Sequence, residues 1–350
     1  MNKMEERSES RIYSLDYLRV VACIMVIGIH CIGFVSGDGT SIKYIIINHI
    51  VRIGLPLFFL LSSVQINNKV DYINNLKSYY MSKALSLGVY FVIFSVYYYE
   101  YNNQIMSSLS KIVKNIPAGL IATLRGSQYY HLWYIYTFAG LTLWLPFLKV
   151  LLKNLKFEQH LTLSVGCFLL SIANYYLSIP IGNCYTSWGM YYIFGSLVLR
   201  KEFEKYYTGS ITAGFVAFIA SIVIEIKLPY SVYMTYIFDI GPLMIIQAIG
   251  VFVLAVKLNV FISGCDSKVY QFVYRISTLT YLVYLCHPAV INYTNNNIII
   301  QNVFGIDSGI RLFIFRVLTV FIISVVVSII FKKIGEYISL IFKKICQMKI

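Results

Sequence analysis

Ten apolar stretches separated by short polar segments leave this chain few ways to fold. They run roughly 15–36, 44–66, 84–100, 129–149, 161–179, 188–199, 210–226, 236–256, 277–298 and 311–331. A helix needs about 20 apolar residues to cross a bilayer, and inside the hydrocarbon every backbone N–H and C=O must be bonded internally. Most of the stretches suit that length. The stretch 188–199 is short, and 277–298 is interrupted by Pro288. Only 13% of the residues are charged, against about 25% in a soluble domain, so water cannot be the solvent on all sides. The expected fold is all-α, a polytopic membrane helix bundle of about ten transmembrane helices. The bundle would occupy 15–331, preceded by a polar segment 1–14 and followed by a basic tail 332–350. No internal repeat is visible.

The basic residues set an orientation. With the N-terminus inside, inner segments carry 20 of the 29 Lys and Arg, outer segments carry six, and Arg19, Arg52 and Arg316 fall within apolar stretches. That asymmetry predicts both termini on the cytoplasmic side. The net charge of +14 is thus accounted for by a lipid bilayer surface, and no basic face of a soluble fold suggests nucleic acid. No A-x-A-like cleavage site follows the first apolar run, which is expected to be retained. The stretch 101–128 holds Lys111, Lys114 and Arg125 among recurring apolar residues and reads as an interfacial amphipathic helix. The seven cysteines form no C-x-x-C pair, so neither a metal site nor a disulfide framework is expected.

Ionisable residues inside a membrane are costly and mark function by default. On the first helix Asp16, Arg19 and His30 share one stripe, because eleven residues from Arg19 to His30 make three turns plus roughly 20°. Asp16 lies three positions before Arg19 and can pair with it. Arg19 then sits near the inner mouth and His30 about 16 Å further along, facing the same cavity. The second helix places His49 and Arg52 on one face, with Arg52 near the depth of His30, and Gly54 and Pro56 follow it. Each has a blander reading: a lone His packs against a carbonyl, and a lone Arg snorkels. The common stripe and common depth favour function for His30, Arg19 and Arg52. Arg316 serves either snorkelling or function. His287 precedes Pro288, and His131 and Trp133 open the fourth helix as substrate contacts or as part of an aromatic belt. His160 falls in a loop and reads as solvated. Glu100, Glu225 and Asp239 lie near the outer side and read first as solvated helix ends, with help in binding a sugar as the alternative. There is no G-x-S-x-G elbow, P-loop, G-x-G-x-x-G or H-E-x-x-H.

The stretch SLDYLRVVACIMVIGIH, with Arg19 and His30, resembles the first helix of the acyltransferase type 3 family of bacterial membrane O-acyltransferases. RIGLPLFFLLSS resembles that family's second helix, with Arg52 as its arginine. HLWYIYTFAGLTLWLPFL, WGMYYIFGSLV and STLTYLVYLCHPAVI resemble later segments, the last placing His287. Where many members carry an Arg-x-x-Arg pair, KSYYMSKALSLG offers Lys77 and Lys83. The resemblance implies an acyl-CoA donor, usually acetyl-CoA, entering from the cytoplasm, and a hydroxyl acceptor on a cell-surface or lipid-linked glycan. It also implies a bacterial inner or plasma membrane.

Joined to the geometry, this gives an O-acyltransferase in which His30 is general base. Arg52 stabilises the oxyanion or orients the acceptor. Arg19, with Lys77 and Lys83, meets the anionic end of coenzyme A, and Asp16 orients Arg19. His49, His131, Trp133 and His287 are candidate substrate contacts. No permanently bound cofactor is expected. The rival class is a transporter or flippase of a lipid-linked or anionic substrate, which buried Arg and His would serve equally.

Overall fold

The computed structural model describes residues 12–35, 41–68, 70–177, 188–228, 238–263, 267–294 and 309–347. Every regular element among the described residues is helical. The helices are α1 (Tyr13–Cys31), α2 (Ile42–Arg52), α3 (Gly54–Ser62), α4 (Val64–Asn67), α5 (Leu76–Lys83), α6 (Val89–Asn102), α7 (Leu109–Arg125), α8 (Trp133–Asn154), α9 (Phe157–Leu177), α10 (Gly189–Val198), α11 (Tyr207–Lys227), α12 (Pro242–Ile262), α13 (Ser267–Ser277), α14 (Thr280–Thr294) and α15 (Gly309–Gln347).

Seven helical rods among the described residues are long and apolar enough to cross a membrane: Tyr13–Phe34, Ile42–Asn67, Ile73–Asn102, Trp133–Asn154, Lys201–Lys227, Pro242–Ile262 and Gly309–Tyr337. The chain is therefore a multi-pass membrane protein. The described parts of the other three apolar stretches lie in α9, α10 and α14. The ten residues of α10 rise only about 15 Å, half the hydrocarbon thickness. All but one of them are buried, so protein and not lipid surrounds α10.

The chain forms two compact units. The first comprises Met1–Asn68, Leu151–Thr280 and Asn296–Thr319. Close backbone approaches organise it. A Cβ on Gly54 would stand 2.7 Å from Met25 Cβ and 2.8 Å from the Ala22 carbonyl oxygen, so only glycine lets the α2–α3 rod lie this close to α1. Helices α11 and α12 cross where Gly214 meets Gly250, and a Cβ on Gly214 would stand 2.9 Å from Gly250 Cα. Small residues at such crossings are the usual means of packing helices where lipid removes the hydrophobic drive.

Two expectations in this unit need correction. His160 is not a solvated loop residue. It lies in the first turn of α9, is 1% exposed, and has Nε2 3.1 Å from the Ile193 carbonyl oxygen. The loop ends at Lys156, whose N–H is capped by Gln159, so the helix starts before the apolar pattern does. Nor is Glu225 solvated, since its side chain is 7% exposed.

The second unit comprises Lys69–Val150, Tyr281–Asn295 and Val320–Ile350. Its rod Ile73–Asn102 contains a π-helical turn at Ala84–Gly88, and the Tyr281 hydroxyl donates to the Leu87 carbonyl within that turn. Helix α7 occupies the stretch read as amphipathic. Its inner face packs Gly119 against Val96 and Tyr99 of α6, and the Thr123 hydroxyl donates to Ser95 Oγ. Leu109, Val113, Leu120 and Leu124 are exposed. Glu100 is also buried, at 3% exposure, correcting its reading as a solvated end.

Candidate functional site

In the first unit α1 carries a carboxylate, a guanidinium and an imidazole. Asp16 is buried, and its oxygens are fully engaged. They accept from Tyr270 Oη at 2.9 Å, Ser277 Oγ at 3.0 Å and Arg19 Nη1 at 3.3 Å. The pairing expected from the three-residue spacing is present. Its anchors on α13 come from more than 250 positions away and no local pattern announces them. Asp16 can thus orient Arg19 but has little capacity left for a ligand. The Arg19 side chain stays 32% exposed at that end of the helix.

His30 sits in the last turn of α1, half-buried. The rod that carries Arg52 is packed against α1 by the Gly54 crossing and by Val51, whose Cγ1 fills the space over Gly28. Arg52 is held in two ways. Its Nε donates to Asn48 Oδ1 at 3.1 Å, and its guanidinium carbon lies 4.3 Å from the centre of the Phe238 ring. Its two terminal nitrogens have no hydrogen-bond partner among the described residues. A guanidinium fixed by its inner nitrogen and its face, with both outer nitrogens unspent, is prepared to receive an anion or developing oxyanion.

His49, one turn before Arg52, is fully buried. Its Nε2 lies 2.7 Å from Glu225 Oε2 without the alignment of a hydrogen bond. Its Nδ1 has no hydrogen-bond partner among the described residues. The ring stacks on Phe238 at 5.4 Å and meets Phe218 edge-on at 6.3 Å. Asp239 follows Phe238 with φ of 53°, a left-handed conformation that aspartate tolerates better than most residues. Arg316 is 2% exposed and sits 5.0 Å over the Phe34 ring, with Cys31 in its field. Its guanidinium is inside protein and does not snorkel.

The remaining candidates belong to the second unit. Lys77 is exposed, and Lys83 is half-buried with Nζ 5.6 Å over Tyr79. Trp133 is 37% exposed, while His131 is buried, its ring 5.5 Å from that of His287 and 5.1 Å from that of Tyr98. His287 owes its setting to Pro288. Proline has no N–H to offer the Tyr284 carbonyl four residues back, and His287 Nδ1 takes that carbonyl at 2.7 Å. Since a carbonyl only accepts, Nδ1 carries the proton and Nε2 is the acceptor of the neutral ring. The Tyr98 hydroxyl bridges the adjoining rung, donating to the Leu285 carbonyl at 2.8 Å and accepting from Ala289 N–H at 3.3 Å. Also in the second unit is an open cavity of about 580 Å³, lined by Tyr99, Ala122, Arg125 and Gln128 among others. It contains none of the candidate residues.

Sequence reasoning missed Glu225 and Phe238 as parts of the Arg52 surroundings. A carboxylate in an otherwise apolar segment was the available signal for Glu225, and nothing distinguished Phe238 from 22 other phenylalanines. Among the described residues no cluster of His, Cys, Asp and Glu could hold a metal ion. The model of one protein family, described as an acyltransferase domain (acyltransferase type 3), matches residues 12–333. No curated protein and no solved structure matches the chain.

Proposed function

From the premise that the chain belongs to the type 3 acyltransferase domain family, and is thus a membrane acyltransferase, we propose that it moves an acyl group, most simply acetyl, from cytoplasmic acyl-CoA to a hydroxyl of a cell-surface or lipid-linked glycan. The observation that carries this reading is the Arg52 guanidinium, its inner nitrogen held by Asn48 and its face by Phe238, on a rod that the Gly54 crossing packs against the helix bearing His30.

The acceptor hydroxyl gives its proton to His30 as its oxygen attacks the thioester carbonyl. Arg52 donates to the oxyanion that forms there. The C–S bond then breaks, coenzyme A leaves as thiolate and takes up a proton, and the ester remains on the acceptor. Arg19, oriented by Asp16, meets the phosphates of the donor. His49 through Nδ1 is a hydrogen-bond acceptor for a sugar hydroxyl. The Lys and Arg asymmetry supports about ten spans with both ends in the cytoplasm, in a bacterial inner or plasma membrane.

The test uses purified full-length protein in lipid nanodiscs, acetyl-CoA labelled in the acetyl group, and a lipid-linked saccharide extract as acceptor. Label should pass to the extract with the wild-type protein and not with His30→Ala. Near-wild-type transfer by a folded His30→Ala protein would remove His30 as base. Uptake of saccharide without thioester consumption would make the protein a transporter.

A further inference from the structure

Glu225 and Phe238 are buried beside the proposed oxyanion site and have no part in the steps above. Glu225 lies in the last turn of α11, where a desolvated carboxylate is costly unless compensated. What faces it is the His49 imidazole, 2.7 Å away. The His49 ring lies nearly parallel to Phe238, at an interplanar angle of 24°. The same Phe238 ring carries the Arg52 guanidinium. His49 and Arg52 stand one turn apart on α2, so a single aromatic ring supports both. The backbone beneath that ring is pinned as well. Gly241 N–H donates to the Phe238 carbonyl at 2.8 Å, and the Tyr191 hydroxyl donates to the Asp239 carbonyl at 2.8 Å.

We propose that Glu225 is a positioning residue of the acyl-transfer site, clamping the His49 ring against Phe238 so that the two form a shelf that fixes the plane of the Arg52 guanidinium. The proposal rests on the reading of Arg52 as the oxyanion donor. Asn48 restrains only Nε, about which the guanidinium plane can still turn. The shelf removes that freedom. An imidazole without its carboxylate neighbour can rotate and leave half the shelf empty. Glu225 touches neither donor nor acceptor, so its loss should appear in the rate of the chemical step and not in donor affinity.

The experiment compares Glu225→Ala, Glu225→Gln, Phe238→Leu and Phe238→Tyr in nanodiscs, with kcat and KM for acetyl-CoA measured on the same saccharide extract. Misplacing a catalytic group by about 1 Å can cost about 100-fold in rate. Glu225→Ala and Phe238→Leu should therefore lower kcat about 10-fold or more, with KM for acetyl-CoA nearly unchanged. Glu225→Gln, which keeps an oxygen beside His49, and Phe238→Tyr, which keeps the ring, should recover most of the rate. In a His49→Ala background, Glu225→Ala should add no further loss, because its effect passes through His49. Wild-type kcat in Glu225→Ala, or additive losses in the double variant, would overturn the proposal. If Glu225→Ala does not fold, Phe238→Leu decides, and a wild-type rate there overturns it equally. The two readings fail separately: an active His30→Ala protein sinks the acyl-transfer mechanism, whereas an inactive His30→Ala with full activity in Glu225→Ala and Phe238→Leu sinks only the shelf.

Discussion

Replacing Arg52 tests the site most directly, because its role can be given a size. In the structure its Nε is held by Asn48 at 3.1 Å and its face by Phe238 at 4.3 Å, which leaves the two terminal nitrogens for the reacting carbonyl oxygen. One preorganised donor to a developing oxyanion contributes about 2.7–4 kcal/mol, or roughly 100- to 1,000-fold in kcat. Arg52→Ala should therefore lower kcat by at least about 100-fold. Arg52→Lys should not rescue it. An ammonium keeps the charge but has no planar face for Phe238 and no second nitrogen to spare after bonding Asn48. The assay is single-turnover transfer of labelled acetyl from acetyl-CoA in nanodiscs, with thermal unfolding in parallel to separate rate from folding. A kcat within about threefold of wild type in Arg52→Ala would refute the oxyanion role. If kcat holds while KM for the saccharide rises, Arg52 orients the acceptor instead.

Arg19→Ala should raise KM for acetyl-CoA several-fold and leave kcat near wild type, because the half-exposed guanidinium contributes about 1 kcal/mol of binding after solvent screening. An unchanged KM in a titration of acetyl-CoA discards its donor-binding role. Asp16→Ala should destabilise the fold by about 3 kcal/mol, since the Tyr270 and Ser277 hydroxyls and the Arg19 guanidinium lose their common acceptor. Thermal unfolding in detergent reads this as a lowered Tm, and an unshifted Tm would contradict the hydrogen-bond network.

Much of the site was legible because helical periodicity is local. Asp16 and Arg19 are neighbours on any helix, so their pairing needed no knowledge of the fold, and His30 shares their stripe for the same reason. Apolar length marked each spanning rod. It could not say that the 188–199 stretch is wrapped in protein, because a buried helix and a lipid-facing one have the same composition. His160 was misread because its helix begins at Phe157, before the apolar pattern becomes visible.

By itself the sequence determined the solvent, the helical class, and which charged side chains share a face of one helix, all properties set by composition and by the 3.6-residue turn. Only the tertiary structure decided which faces meet. It packed the rod carrying Arg52 onto α1 at Gly54, gave Asp16 its anchors on α13, and set Glu225 and Phe238 against His49. Those partners lie far apart along the chain, and contacts between distant segments depend on how helices cross, a three-dimensional packing outcome that no local pattern encodes.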